Sequence, residues 1–313
     1  MNSCEICDST DFKVVSREIR EGPGVISKCS SCGLVILNID QTKEELKKYY
    51  NEEYQFANSL QSGKEQSPRE HFQDRIKTLQ QIVKRLSPYL NPNMRVLEIG
   101  CGCGELLYLI KDHVKEVVGV EINKSFVEFI NNELGIEAYS EDINEMHLDD
   151  RVFDIVICVM TLDHMPNPFE ALNSMKSLMA KGGVMYIEVP NIEEAMNCYL
   201  PEPGRTRFNT FFWHQAHYFY FSKDTLTKLI NKVGLNCEIT CRHEYSLMNF
   251  FNWYFTGKPQ NSFLEATSKA GAFNGDSTFE VGMNKVISEM DIQFHNLLSE
   301  TYRGDTLCCI ARE

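Results

Sequence analysis

Glycine recurs at every second position in a short stretch that also carries a carboxylate. The pattern is E-x-G-x-G-x-G, formed by Glu98, Gly100, Gly102 and Gly104. The apolar residues 96–99 predict a short buried strand, and the run from Leu106 predicts a helix, so the glycines occupy the loop between them. A side chain in this loop would hold the backbone away from a ligand lying across the carboxyl end of the strand. The stretch therefore predicts a nucleotide-type binding loop.

The glycine spacing distinguishes between two kinds of ligand. A dinucleotide fingerprint, G-x-G-x-x-G, would need glycine at position 105 or 107, where the chain has Glu105 and Leu107. This spacing argues against a hydride-transfer enzyme. The stretch resembles instead motif I of the class I methyltransferases that depend on S-adenosylmethionine (SAM). The resemblance implies that SAM is the cofactor and that Glu98 orients its amino end.

A second carboxylate ends the next predicted strand. Residues 117–121 form an apolar run that finishes in Glu121. This residue lies about twenty positions after Gly100, the distance at which an acidic side chain at the tip of the second strand accepts hydrogen bonds from both ribose hydroxyls. We therefore expect Glu121 to bind the ribose of the cofactor.

A third acidic position follows a short predicted strand at 136–139. Asp142 and Ile143 come just beyond it. In class I methyltransferases this is the place where the adenine lies between an acidic group and an apolar side chain. The resemblance implies that Asp142 accepts a hydrogen bond from the exocyclic amine and that Ile143 packs on the ring. Glu141 and Asn144 remain alternatives for the polar contact.

The next strand and its following loop extend the resemblance. Residues 153–160 form an apolar strand, and residues 161–168 resemble motif IV with its L-x-H-x-x-x-P continuation. The carboxyl end of this strand would face the sulfonium and its methyl group. His164 in this loop either caps the following helix or contacts ligand. The resemblance covers about residues 92–241.

The remaining strands complete the predicted sheet. Residues 178–184 predict the turn into a fifth strand at 184–189, and residues 235–241 and 306–311 predict the sixth and seventh strands. The seventh strand runs antiparallel in this family. Because strands and helices alternate, the sequence predicts an α/β fold with a doubly wound, Rossmann-like, seven-stranded methyltransferase sheet.

Two cysteine pairs near the N-terminus have the spacing of a metal site. Each pair is C-x-x-C, and together they comprise Cys4, Cys7, Cys29 and Cys32. Four thiolates make a closed tetrahedral Zn²⁺ site with no position left for water. We therefore expect a small zinc-binding module with a structural role.

The acceptor is expected to bind at an insertion, residues 190–222, which follows the fifth strand and is rich in aromatic and imidazole groups. It contains an H-x-x-Y-F-S segment from His217 to Ser222. Together with the four cysteines and the class I core, this segment resembles methyltransferases that act on nucleotide-linked deoxysugars. The resemblance makes His217 the first candidate base, with His214 and Tyr220 as further catalytic candidates. Ala216 replaces a glutamate that carbon-methylating members carry.

Composition limits the classes of partner. The net charge of −13 repels a polyanion, so we expect no nucleic-acid acceptor. No run approaches 18 apolar residues and no signal-peptide pattern is present, so we expect a cytoplasmic protein without membrane contact. The expected divisions are a zinc module, a helical linker or lid, a methyltransferase core that includes the acceptor insertion, a helical insertion or lid, and the last core strand. Their bounds are 1–40, 41–91, 92–241, 242–305 and 306–313.

Tyrosines in the helical linker allow two interpretations. Tyr49, Tyr50 and Tyr54 either pack one helix onto the core or extend from a lid toward the ligand. In the acceptor insertion, Arg205 and Arg207 are candidate ligands for the phosphates of a sugar nucleotide.

The function indicated by these patterns is methyl transfer from SAM to a small molecule, with a sugar or nucleotide-linked sugar as the favoured acceptor. Methylation at oxygen, nitrogen or carbon remains open. Two alternatives remain: a methyltransferase that acts on tRNA, rRNA or protein, and a SAM-binding module without catalysis.

Overall fold

The computed structural model describes residues 3–39, 42–52, 66–146, 148, 151–268 and 273–313. Tyr54 lies outside these residues. Among the described helices, none combines the length and apolar character needed to cross a membrane.

The strands, numbered in chain order, are β1 (Phe12–Ile19), β2 (Gly22–Cys29), β3 (Val35–Asn38), β4 (Arg95–Ile99), β5 (Glu116–Val120), β6 (Glu137–Tyr139), β7 (Phe153–Val159), β8 (Met179–Pro190), β9 (Phe219–Tyr220), β10 (Asn236–Arg242) and β11 (Thr306–Arg312). The helices are α1 (Lys43–Glu52), α2 (Pro68–Arg75), α3 (Gln80–Leu86), α4 (Glu105–Ile110), α5 (Lys124–Phe129), α6 (Pro168–Ser177), α7 (Ala195–Tyr199), α8 (Gly204–Phe212), α9 (Lys223–Lys232), α10 (Leu247–Thr256), α11 (Phe263–Thr267) and α12 (Thr278–Glu300).

Within the described residues, the larger sheet has seven strands in the order β10-β11-β8-β7-β4-β5-β6. Neighbouring strands are parallel in the part of the sheet that comprises β8, β7, β4, β5 and β6. Strand β11 lies between β8 and β10 and runs antiparallel to both. The central strands are buried on both faces, which explains why residues 96–99 and 153–160 are apolar apart from one carboxylate each, Glu98 and Asp154. The predicted α/β fold class and the antiparallel last strand are confirmed.

One strand boundary differs from the sequence prediction. Residues 178–184 were expected to form a turn, but β8 already begins at Met179, which pairs with Phe153. The register shifts before Val184 pairs with Ile155, and Gly182 has a φ of +77° within this irregular stretch. The two glycines allow an irregular strand to continue where the sequence suggests an interruption.

A helix, α9, follows the acceptor insertion directly. Ser222 is the N-cap of α9, and its hydroxyl accepts a hydrogen bond from the backbone N–H of Thr225. Such a cap stabilises a helix by about 1 kcal/mol. Gly234, just after the helix, has a φ of +75°. The apolar face of α9, including Leu226 and Ile230, is buried against the large sheet.

A second sheet connects the cysteine-rich N-terminus to the acceptor insertion. Its strand order is β1-β2-β3-β9, and β9 pairs antiparallel with β3 through Val35↔Tyr220 and Ile36↔Phe219. The sequence predicts β9 as an edge strand with one buried face. It is an edge strand, but Phe219 and Tyr220 are both buried because one faces the large core and the other a separate cluster around Trp213.

Candidate functional site

A cavity of about 490 Å³ lies at the carboxyl ends of β4, β5 and β7. These strands are adjacent in the sheet. After β4 the chain adds β5 and β6 on one side and then crosses to β7 on the other, and this point of reversal is the usual ligand position in an open α/β sheet. Every residue that the sequence predicts to bind the cofactor lines this cavity, except Gly104. These residues are Glu98, Gly100, Gly102, Glu121, Asp142 and Ile143.

The glycine loop forms the floor of the cavity in a conformation that favours glycine. Gly100, Gly102 and Gly104 have φ values of +72°, +55° and +78°. A Cβ atom on Gly100 would lie 2.8 Å from the Cβ of Thr161, which follows β7. The loop therefore lies against a neighbouring loop with no room for a side chain at position 100. Its fold is held by the N–H groups of Gly100 and Gly102, which donate to Val120 O and Glu121 Oε2.

Three carboxylates surround this loop. Glu98 and Glu105 are buried, and Glu121 accepts backbone hydrogen bonds from Gly102 (3.0 Å) and Asn123 (2.9 Å). Burial raises the pKa of Glu121 to about 7, although these hydrogen bonds oppose the shift. Burial raises the pKa of Glu98 well above its ordinary value, and the charge of Glu105 adds to the effect.

The Oε2 atom of Glu98 accepts no hydrogen bond from any residue in the described part of the chain. An unpaired buried acceptor beside two further carboxylates fits a ligand that brings donors and positive charge. SAM carries both, as an ammonium and a sulfonium. Glu105 and its neighbour His71 are not among the cofactor-binding residues predicted from the sequence, and His71 Nδ1 lies 3.3 Å from Glu105 Oε1. His71 comes from α2, outside the predicted core, so no local pattern indicates it.

At the other end of the cavity, Asp142 and Ile143 follow β6 in a short turn. Asp142 Oδ1 accepts a hydrogen bond from the backbone N–H of Asn144 at 2.9 Å, which fixes the turn. Ile143 is buried, and Glu141 and Asn144 also line the cavity. The structure therefore places an acidic and an apolar side chain together, as the sequence predicts. Glu141 and Asn144 are also close enough to make the polar contact to a ligand.

A cluster of one carboxylate and two imidazoles lies beside the cavity. Asp163 Oδ2 is 3.6 Å from His164 Nε2 and 3.6 Å from His217 Nε2. His164 lines the cavity, while His217 packs against it with ring centroids 4.7 Å apart. Tyr50 of α1 also lines the cavity, and its Oη is 2.8 Å from His164 Nδ1.

Burial dominates the electrostatics of this cluster. It raises the pKa of Asp163 to about 7 and lowers that of His164 to about 4. The pKa of His217 is also lowered well below its ordinary value. Asp163 is absent from the sequence-based candidates, although its position at the end of an apolar strand beside His164 offers a signal.

His214 and Tyr220 form a turn that supports His217. The hydroxyl of Tyr220 accepts a hydrogen bond from the backbone N–H of His214 (2.8 Å) and donates one to its carbonyl (3.2 Å). His214 Nδ1 accepts from the backbone N–H of Ala216, and its Nε2 lies 3.1 Å from Glu21 Oε1. Neither side chain lines the described cavity, so both are placed to hold the turn in position.

The four N-terminal cysteines converge on one point. Cys4 Sγ lies 3.4 Å from Cys32 Sγ, and Cys7 Sγ lies 3.6 Å from Cys29 Sγ. All four sulfur atoms lie within 4.8 Å of one another. In a tetrahedral zinc site with Zn–S bonds of about 2.3 Å, sulfur atoms are separated by about 3.8 Å. The donor set and its spacing therefore fit a tetrahedral metal ion.

Comparison with known proteins points to one family. A family model described as a methyltransferase domain matches residues 70–239. The chain is 27% identical over 164 residues to a ubiquinone biosynthesis O-methyltransferase of Coxiella burnetii, covering 50% of this chain and 70% of the relative. It is also 27% identical over 160 residues to a tRNA U34 carboxymethyltransferase of Actinobacillus pleuropneumoniae, covering 48% of each. The fold is similar to that of the [4+2]-cyclase SpnF, with a TM-score of 0.52 and 14% identity, covering 88% of this chain and 97% of SpnF.

Proposed function

Because the chain belongs to the SAM-dependent methyltransferases of class I, we propose that it methylates a small molecule, a sugar or nucleotide-linked sugar. One observation carries this proposal. The Asp163, His164 and His217 cluster lies where the SAM cavity meets the acceptor insertion, and it offers groups that can activate a hydroxyl. A chain that only bound SAM would have no use for such a cluster.

The donor is held, in this proposal, by the three strand ends. Glu98 and the glycine loop bind the amino acid end, Glu121 binds the ribose hydroxyls, and Asp142 with Ile143 binds the adenine. All of these residues line one cavity except Gly104, whose positive φ shapes the loop. The buried carboxylates suit the positive charge of SAM, which supports this orientation.

The transfer itself needs little covalent help from the protein. The acceptor oxygen loses its proton, its electron pair forms a bond to the methyl carbon, and the carbon–sulfur pair returns to sulfur as S-adenosylhomocysteine leaves. Positioning and deprotonation are the contributions of the enzyme. His217 activates the acceptor, and His214 and Tyr220 hold the turn that carries it.

SAM affinity is expected to rise with pH. The ribose hydroxyls donate to the ionised form of Glu121, whose pKa is raised to about 7 by burial, so protonation below pH 7 opposes binding. We expect the affinity to be about tenfold weaker at pH 6 than at pH 8, because a carboxylate with a pKa of about 7 is roughly one-tenth ionised at pH 6 and nine-tenths ionised at pH 8. Glu98 lines the same cavity, and burial raises its pKa well above the ordinary value. Calorimetric titration with SAM at both pH values measures this.

Glu121→Gln is the control for this pH dependence. It keeps the shape of the side chain and its acceptor oxygen but cannot titrate. We expect weaker binding with most of the pH dependence removed. An unchanged pH dependence in this variant would show that another group is responsible.

Features of the acceptor side support a small molecule. The net charge of −13 disfavours a polyanion, and the insertion folds back onto the chain through β9 instead of extending outward. Arg205 is paired with Glu202 at 2.8 Å on the surface and does not line the described cavity. The expected role of Arg205 as a phosphate ligand is therefore not part of the proposal.

A panel of sugar nucleotides tests the acceptor class. Each compound is incubated with SAM and enzyme, and products are analysed by mass spectrometry for the addition of one methyl group. We expect at least one nucleotide sugar to be methylated, and Glu121→Ala to abolish the product. Methylation of none of a broad panel, with SAM binding intact, would count against a nucleotide-sugar acceptor.

The four cysteines are proposed to bind one structural Zn²⁺ that stabilises the position of His217. Their module contains β3, which pairs with β9, and β9 begins two residues after His217. Cys7→Ser is therefore expected to lose the zinc and to increase hydrogen exchange in residues 217–221 while β4 and β5 stay protected.

Cys198→Ser is the matched control for this prediction, because Cys198 is half-buried and lies outside the cysteine cluster. It should retain both the zinc and the protection of residues 217–221. Zinc content by elemental analysis and hydrogen exchange by mass spectrometry provide the two readouts. Native protein purified with zinc supplied but carrying none would refute the zinc assignment.

A further inference from the structure

The side chains of Asp163, His164 and His217 form a second group of converging metal-ligand types, separate from the four cysteines. Their ligand atoms lie within 4.8 Å of one another. We propose that these three side chains bind a divalent cation that coordinates the acceptor hydroxyl during methyl transfer. The mechanistic part of this inference rests on the proposed function, whereas the cation site itself does not.

The spacing fits a shared ion better than direct hydrogen bonds. Asp163 Oδ2 lies 3.6 Å from the Nε2 atoms of both histidines, which is too long for a hydrogen bond. Two ligands each about 2.1 Å from one ion are separated by about 3.4 to 3.6 Å when they subtend a tetrahedral or trigonal angle. One ion could therefore be bound by all three side chains.

Asp163 supplies an independent observation. Its side chain is 1% exposed, and neither Oδ atom has a hydrogen-bond partner in the described part of the chain. A buried carboxylate without partners is costly, and such groups are normally paired, hydrogen-bonded or bound to metal. The Nδ1 atom of His217 is likewise buried without a described partner.

The orientation of His164 also suits metal binding. Its Nδ1 lies 2.8 Å from Tyr50 Oη, and its Nε2 points to Asp163. Metal-bound histidines usually make such a contact through the second ring nitrogen, which fixes the ring orientation. Tyr50 would therefore act as a positioning residue for this ligand.

Two imidazoles and one carboxylate leave coordination positions open, as in sites where a metal acts on substrate. His164 lines the cavity, so an acceptor bound there can reach the ion. A bound cation lowers the pKa of a coordinated hydroxyl, which then releases its proton to water. In this arrangement His217 activates the acceptor as a ligand of the ion, and the nucleophile is an oxygen.

Binding of Mn²⁺ to the zinc-loaded full chain tests the site without any acceptor. Mn²⁺ prefers nitrogen and oxygen ligands, so it does not compete for the four thiolates. Free Mn²⁺ is measured by electron paramagnetic resonance during a titration. We expect one Mn²⁺ per chain and at least a tenfold weaker affinity in Asp163→Asn and in His217→Ala.

His113→Ala is the control, because this histidine is exposed and belongs to none of the described candidate metal groups. It should bind Mn²⁺ as the native protein does. Circular dichroism establishes that each variant is folded. If one of the two ligand variants does not fold, the other still tests the site. Absence of Mn²⁺ binding, or equal binding in native protein and both ligand variants, overturns the proposal. A cation that binds here, together with no methylation of any nucleotide sugar, would refute the acceptor class and leave the site standing.

Discussion

Replacing Gly100 with valine is expected to abolish measurable SAM binding. Gly100 has a φ of +72°, and a Cβ atom there would lie 2.8 Å from the Cβ of Thr161. The valine side chain would displace the loop whose backbone is proposed to contact the ligand. Because the Gly102 N–H donates to the Glu121 carboxylate at 3.0 Å, this displacement would also remove the two hydrogen bonds proposed between Glu121 and the ribose hydroxyls. Hydrogen bonds to a charged group contribute about 1.5 to 3 kcal/mol each, so their loss corresponds to at least about a 100-fold loss of affinity.

Gly182→Val separates the effect on the ligand from the effect on the backbone. Gly182 has a similar φ of +77°, but nothing lies within 4 Å of the position of its Cβ. Both variants incur the cost of a left-handed residue, about 1 to 2 kcal/mol of unfolding free energy. Calorimetry with SAM should detect binding to Gly182→Val only. Normal SAM affinity in Gly100→Val would refute the proposed donor site.

His217→Ala is expected to retain SAM affinity and to lower kcat by about 100- to 10,000-fold, the usual contribution of a group that activates a nucleophile. The reason is positional. His217 contacts Asp163 and His164 but does not line the SAM cavity in the described residues. Calorimetry measures SAM binding, and turnover is measured separately with the acceptor that the sugar-nucleotide panel identifies.

His113→Ala again serves as the control and should leave both quantities unchanged. His214 and Tyr220 hold the turn that carries His217. Replacing either residue should therefore disorder the His217 side chain and, as a result, lower kcat. Full turnover in folded His217→Ala would assign activation of the acceptor to another group, with His164 next because it lines the cavity.

The fold was predictable because its signal is local. Each central strand is an apolar run of the expected length, and the loops after β4, β5 and β6 carry the glycines and acidic residues. Since parallel strands end at the same edge of the sheet, side chains from consecutive motifs are brought together without further information. The structure accordingly places Glu98, Glu121 and Asp142 around one cavity.

The contacts that the sequence does not predict are between distant segments. Pairing of β3 with β9 depends on two short strands far apart in the chain, and neither carries a mark of its partner. The same is true of Asp163 and His217, which meet only because the acceptor insertion returns to the end of β7. Sequence patterns report burial and local geometry, whereas these pairs depend on the path of the chain.

Arg205 illustrates the opposite case. Its type and place in the acceptor insertion suggest a phosphate ligand, but Glu202, three residues earlier, pairs with it on the surface at 2.8 Å. Glu202 lies just before α8, so this partner at i,i+3 is available to Arg205 before any ligand is present. A charge in a functional segment is therefore weak support for a binding role unless its neighbours leave it unpaired.

Methyl transfer from SAM to a small acceptor can be measured without knowing the identity of the acceptor. The protein is incubated with methyl-labelled SAM and an extract of its own cells, and the label is counted on both sides of a size cut-off membrane. Glu121→Ala, run in parallel, identifies the label that depends on the proposed site. We predict label in the low-mass fraction that this variant abolishes. Label only in the retained macromolecular fraction would contradict the small acceptor, and no transferred label in either fraction would contradict catalysis.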